Sequence, residues 1–201
     1  MTAPDLPDDP VERRRAVVIA GHRRDAATVI AAVDDPDAEC RELALGALER
    51  LGELGDDRLV QAMADPAVNV RRRAAELLAL HPGCDPLPLL DDPDPGVVEV
   101  AAWACGEHET VSDAVLDRLV ALTTGAEDPL VRESCAAALG AIGDERGLSA
   151  ILTACRDKPA VRRRAVLALA PFEGPEVDAA LAVALEDRDW QVRQAAEDLT
   201  R

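Results

Sequence analysis

The sequence predicts an all-α solenoid, a superhelix of about six to seven stacked helical pairs. Three observations carry that reading. A short motif (acidic turn, Pro, Val-Arg, small residues) recurs with its Arg every 27 to 34 residues, too long for one helix and right for a pair. Each copy opens on residues that start helices: an Asp carboxylate caps free N–H groups, and Pro needs no donor in the first turn. Apolar residues make up 48% of the 201-residue chain, yet aromatics make up 1%. A core of Ala, Leu and Val suits thin layers of closely approaching helices, where bulky rings have no place.

The anchor Arg stands at 13, 41, 71, 132, 162 and 193, with Val98 in the same slot. The copy Asp128-Pro129-Leu130-Val131-Arg132 shows the logic. Val131, Cys135 and Leu139 follow at i, i+4 and i+8, one face of a helix, and Gly140 and Gly143 are expected to end it. A second apolar pattern, Leu148, Ile151, Leu152 and Cys155, supplies the partner helix. Neither helix buries its apolar face alone, so stacking is required. First helices are expected near Pro10, Asp37, Pro66, Pro95, Pro129, Pro159 and Asp189. Second helices are expected over 24–33, 57–64, 86–90, 111–122, 145–156 and 175–186, about thirteen helices in all. The fourth second helix is stunted: Pro86 and Pro88 permit one turn at most. With the breaker cluster that follows it, 82–96 reads as an irregular joint within one repeat domain, 1–201.

Taken together, the copies follow Asp-x-Pro-x-Val-Arg-x-x-Ala-Ala-x-x-Leu-Gly. This pattern resembles HEAT repeats, of the short bacterial kind named after phycobilisome lyases, from about 9 to 200. The resemblance implies that the Val-Arg helices line a concave side. It also implies a structural ladder between neighbouring turns, in which Arg41, Arg71, Arg132, Arg162 and Arg193 act with Asp35, Asp65 and Asp187. A forked guanidinium suits that role. The function implied is a protein-protein interaction scaffold or adaptor. The alternative is a HEAT-repeat enzyme, like deoxyhypusine hydroxylase or a phycobilin lyase. The first uses several His-Glu pairs, and this chain has one, His108-Glu109. No Ser/His/Asp set, phosphate loop or paired metal motif appears, so no catalytic residue, metal or cofactor is assigned.

The net charge is −17, and Lys158 is the only lysine. Such a balance disfavours nucleic acid and anionic membrane surfaces, favours a basic protein partner, and favours a monomer. The Arg triplets 13–15, 71–73 and 162–164 are separated by acidic repeats rather than fused into a basic stripe. The five cysteines show no paired spacing, and Cys40, Cys105, Cys135 and Cys155 fall at apolar helical positions. The acidic, Pro-rich start carries no apolar stretch, so a cytoplasmic protein with reduced thiols is expected.

The binding surface is expected on the first helices, at positions one, two and five after the anchor. Position two includes Leu43, Arg73, Val100 and Arg164, and position five includes Glu76 and Trp103. Trp103 beside Val100, flanked by Arg73 and Glu76, has the composition of an interface hot spot; the alternative is that Trp103 turns into the joint and fills the space left by the stunted second helix.

Overall fold

A computed structural model describes residues 6–200. Arg201 and the first five residues of the acidic, Pro-rich start lie outside the described residues. The described residues form thirteen α-helices and one 3₁₀ turn, with no strand. They divide into two compact units, Met1–Asp85 and Pro86–Arg201.

Unit 1 holds α1 (Pro10–Arg23), α2 (Ala26–Ala31), α3 (Ala38–Leu51), α4 (Asp56–Met63) and α5 (Val68–Leu78). Helices α1, α3 and α5 pack in succession as one layer, with α2 against α1 and α3 and α4 against α5. Unit 2 holds α6 (Leu87–Leu90), α7 (Pro95–Gly106), α8 (Asp113–Gly125), α9 (Pro129–Ile142), α10 (Leu148–Ala154), α11 (Pro159–Leu167), α12 (Pro175–Leu185) and α13 (Trp190–Leu199). Its first layer is α7, α9, α11 and α13, and its second is α6, α8 and α10, with α12 against α11 and α13. Each unit is therefore a stretch of α-solenoid, the odd helices carrying the Val-Arg motif.

The local chemistry follows the motif. Asp9, Asp37, Asp94, Asp128 and Asp189 cap α1, α3, α7, α9 and α13 through their carboxylates. As expected, α6 is a single turn. The second helix expected over 24–33 is shorter, α2 being six residues, and the one expected at 145–156 opens as the 3₁₀ turn Glu145–Gly147.

One helix end corrects the sequence reading. Helix α9 runs through Gly140 to Ile142, and Gly143 alone closes it at φ 69°, where a Cβ would be strained. Gly140 is instead a contact point: a Cβ built on it would stand 2.6 Å from both Cα and Cβ of Ala168. Gly21 meets Ala47 in the same way, and Gly106 meets Ala138, a Cβ on each coming within 3.0 and 3.1 Å. All three glycines sit eight residues after the anchor position, and each alanine sits six after the next one. Small residues at these crossings set how closely odd helices stack.

Candidate functional site

The anchor guanidiniums form rungs between successive turns. Arg41 donates through Nη1 to the carbonyls of Asp35 and Pro36 in its own turn, and through Nε and Nη2 to both carboxylate oxygens of Asp65 in the next, at 2.8 and 2.7 Å. Arg132 does the same with the Ala126 and Glu127 carbonyls and the Asp157 carboxylate. Arg162 bridges the Asp157 carbonyl and the Asp187 carboxylate. Arg13 bridges the Asp8 carbonyl and Asp35, 2.8 Å from its carboxylate. Arg71 and Arg193 hold the carbonyls of Asp65 and Asp187. Each Asp thus lends its carbonyl to its own Arg and its carboxylate to the Arg before it. The Arg132 and Arg162 guanidiniums hold the Asp157 and Asp187 carboxyls below the usual carboxylate range. Asp157 escaped the sequence reading because it stands five rather than six residues before Arg162.

At Val98 the rung is missing. A cavity of about 540 Å³ opens there, with Val98, Leu122 and Val131 in its walls and Asp92, Glu127 and Asp128 among its acidic lining residues. Arg118 also lines it, with its Nε 2.7 Å from the Asp91 carboxylate.

The candidate binding residues separate by position. Position two points away from the core only in part, which corrects that expectation: Arg15 is exposed and Arg73 and Arg164 are partly so, but Val100, Ser134 and Ala195 are buried. The reason is that this position meets the preceding odd helix. Ser134 Oγ donates to the Glu99 carbonyl, Arg73 lies 3.7 Å from Glu42, and Arg164 lies 3.7 Å from Glu133. Leu43 is partly buried at the same position in unit 1, where Arg73 also donates to Glu76 at 2.5 Å. Position five behaves otherwise, and Trp103 is 45% exposed.

Four odd helices of unit 2 each place one large apolar side chain in solvent: Trp103 on α7, Leu130 on α9, Leu167 on α11 and Trp190 on α13. Trp103 and Leu167 stand five residues after the anchor position, and Leu130 and Trp190 stand two and three before it. Seven or eight residues, about two helical turns, separate those positions, so all four fall within a sector of roughly 100° on the helix surface. Leu167 and Trp190, with Arg163, Gln194 and Asp198, line a hollow of about 240 Å³. The two tryptophans are the only ones in the chain. Trp is ordinarily well buried, so two exposed ones on one register face mark that surface. Register singled out Trp103 with core and surface both open and passed over Trp190, which replaces a motif residue at the helix start.

The remaining chemistry-bearing residues have structural placements. Burial pushes the Cys155 thiol up to about 11 and raises Cys135 and Cys84 as well, so these thiols hold their protons at neutral pH. His108 is buried. Among the described residues, no group of three or more His, Cys, Asp or Glu is placed to hold a metal ion, and no helix is long and apolar enough to cross a membrane.

His81 ties together three parts of unit 1. Its Nε2 is 2.9 Å from the Glu49 carboxylate near the end of α3, and its Nδ1 is 2.8 Å from Asp56 at the start of α4. Burial works to lower its pKa, but the two carboxylates outweigh it and the value is raised. A histidine with a raised folded-state pKa contributes stability fully present below its unfolded value, about 6.5, and lost as pH rises through the folded value. His81→Ala is therefore expected to cost about 0.5–1.5 kcal/mol at pH 5.5 and less at pH 8.5. Urea midpoints of both proteins at the two pH values check this; a penalty that grows with pH would show that the clamp is not ionic.

The HEAT-repeat family profile matches residues 85–160 and 117–199, together more than half of the chain. It describes HEAT repeats in general and does not single out the phycobilisome-lyase kind. The solved structure of YibA of E. coli is similar with a TM-score of 0.75 at 18% identity, covering 97% of this chain and 78% of that one. A designed armadillo repeat protein, solved in complex with the peptide (KR)4, is similar with a TM-score of 0.62 at 18% identity, covering 86% of this chain and 96% of that one. At such identities the likeness is one of fold. No curated protein matches the sequence. The recurring motif, the stacked pairs, the Arg-Asp rungs and the family match agree, and the chain belongs to the family of HEAT repeats.

Proposed function

We propose that this chain is an interaction scaffold that works by binding another protein rather than by catalysis, and that the partner segment is basic. The observation that carries the reading is the exposure of both tryptophans on one register face of the odd helices in unit 2. Exposed Trp is favoured at interface hot spots, where a flat ring buries much area at small entropic loss. The chain carries a net charge of −17. A cationic segment with room to stack on indole rings fits such a surface through cation–π and ionic attraction. The peptide (KR)4 bound by the designed armadillo protein suggests a suitable probe.

Calorimetric titration with (KR)4 tests the proposal. Trp103→Ala and Trp190→Ala should each leave the helical spectrum intact and weaken binding by about 2 kcal/mol, some 30-fold. An acidic peptide of equal length should not bind. Unchanged affinity in both variants would remove this face from the account; equal binding of the acidic peptide would remove the basic partner.

A further inference from the structure

We propose that the cavity at the missing rung is a binding site for an arginine side chain supplied by a partner. It is built from α7, α8 and α9 and the turns before α7 and α9, and the inference does not depend on the tryptophan-bearing face.

The chain itself shows what such a space holds. Arg13, Arg41, Arg132 and Arg162 each thread a guanidinium between two turns, with backbone carbonyls of one turn on one edge and a carboxylate of the next on another. Position 98 is the same slot in register, and valine leaves it without the guanidinium. The space has not closed up, because about 540 Å³ is open between the turns. Its walls carry the two features an arginine needs. Val98, Leu122 and Val131 offer apolar surface to the three methylenes of the stem. Glu127 stands five residues before Arg132, the offset at which Asp157 precedes Arg162, and Asp157 is the carboxylate that grips Arg132. Glu127 and its neighbour Asp128 therefore stand where a guanidinium at slot 98 would look for its acid.

The site carries one competing cation. Arg118 lines the same cavity, but its guanidinium engages Asp91, with Nη2 donating to the Leu90 carbonyl at 3.5 Å. The carboxylates of Glu127 and Asp128 also line the opening, on the side of the next turn. Arginine is favoured over lysine because the rung geometry presents acceptors to several edges of a planar fork, which a single ammonium cannot span.

Amide chemical-shift mapping on the full chain tests this, with the blocked tripeptide Gly-Arg-Gly as probe. Saturable shifts are expected at 96–98 and 126–128. The Gly-Lys-Gly analogue should bind at least about fivefold more weakly. Free arginine should also bind more weakly, since its α-carboxylate meets the acidic rim; tighter binding by the free amino acid would overturn the assignment to a partner's side chain. Val98→Arg should complete the rung, raise the urea midpoint and abolish the shifts. Glu127→Gln, at an exposed position, should weaken binding several-fold with the midpoint unchanged, which keeps the test open should Val98→Arg fail to fold. Trp103→Ala should leave the tripeptide response as it is, which separates this site from the scaffold face. Absence of localised shifts, equal response to lysine, or undiminished binding by folded Val98→Arg would each overturn the proposal.

Discussion

Gly140→Ala is expected to destabilise the chain by about 1–3 kcal/mol, against the intrinsic preference of helices for alanine. Alanine in an exposed helix interior is worth about 1 kcal/mol over glycine, so helix propensity alone forecasts a gain. Packing reverses the sign. The added methyl would meet Ala168 at 2.6 Å from Cα and Cβ and 2.8 Å from the carbonyl oxygen, and most of what it meets is backbone that no rotamer change can move. Helices α9 and α11 would have to part, and the buried layer around Leu139, Ala165 and Leu169 would loosen with them. Gly46 in α3 is the control: a Cβ there stands 3.6 Å from the nearest atom, the end of the Arg50 side chain. Gly46→Ala should be neutral or stabilise by up to about 1 kcal/mol. Urea midpoints at constant slope decide the matter, and like signs for the two variants would show that close approach does not govern the stacking.

Arg132→Ala is expected to cost about 1–3 kcal/mol, because a largely buried donor set leaves acceptors unpaired in two turns at once. The Ala126 and Glu127 carbonyls lose Nη1, and the Asp157 carboxylate loses Nε and Nη2 while keeping the Lys158 amide. Arg163→Ala, whose half-exposed guanidinium lies 3.8 Å from Glu133, should stay within about 0.5 kcal/mol. The rung also has a pH signature. Asp157 titrates below its unfolded value of about 3.9, so its contribution is present above that value and is lost as pH falls through the lower folded one. The Arg132→Ala penalty should accordingly be full at pH 6 and shrink below about pH 4. Equal penalties for Arg132 and Arg163 would mean that the rungs are ornaments of the surface.

Much of this architecture was legible because the repeat states its own grammar. Asp with Pro opens a helix by capping and by a missing donor, and Val-Arg fixes which side faces inward. Both act within a few residues, so the first helices could be placed from Pro10 to Asp189 and the stunted α6 foreseen. What stayed hidden depends on distances between turns. Position two looked solvent-facing on an isolated helix, and Arg15 is exposed, but Val100, Ser134 and Ala195 are buried at the same position. Gly140 read as a helix end because glycine ends helices more often than it admits a neighbour. Asp157 shifted by one residue and dropped out of the pattern, yet its carboxylate still reaches Arg132. His81 belongs to no motif position, and its grip on Glu49 and Asp56 arises only when α3, α4 and α5 are brought together. The binding face shares this limit: Trp103 could be picked out by register, whereas Trp190 gained meaning only once its exposure and the hollow it shares with Leu167 were visible.

The most direct test of the central claim uses the tryptophans as their own reporters. The chain has two Trp and no Tyr, so its near-ultraviolet emission comes from Trp103 and Trp190 alone. Emission and acrylamide quenching are followed during titration with (KR)4, in the wild-type chain and in each single-Trp variant. Quenching is expected to fall and emission to shift to the blue in step with the calorimetric binding curve. Saturating peptide that binds by calorimetry while both tryptophans remain as quenchable as before would contradict it.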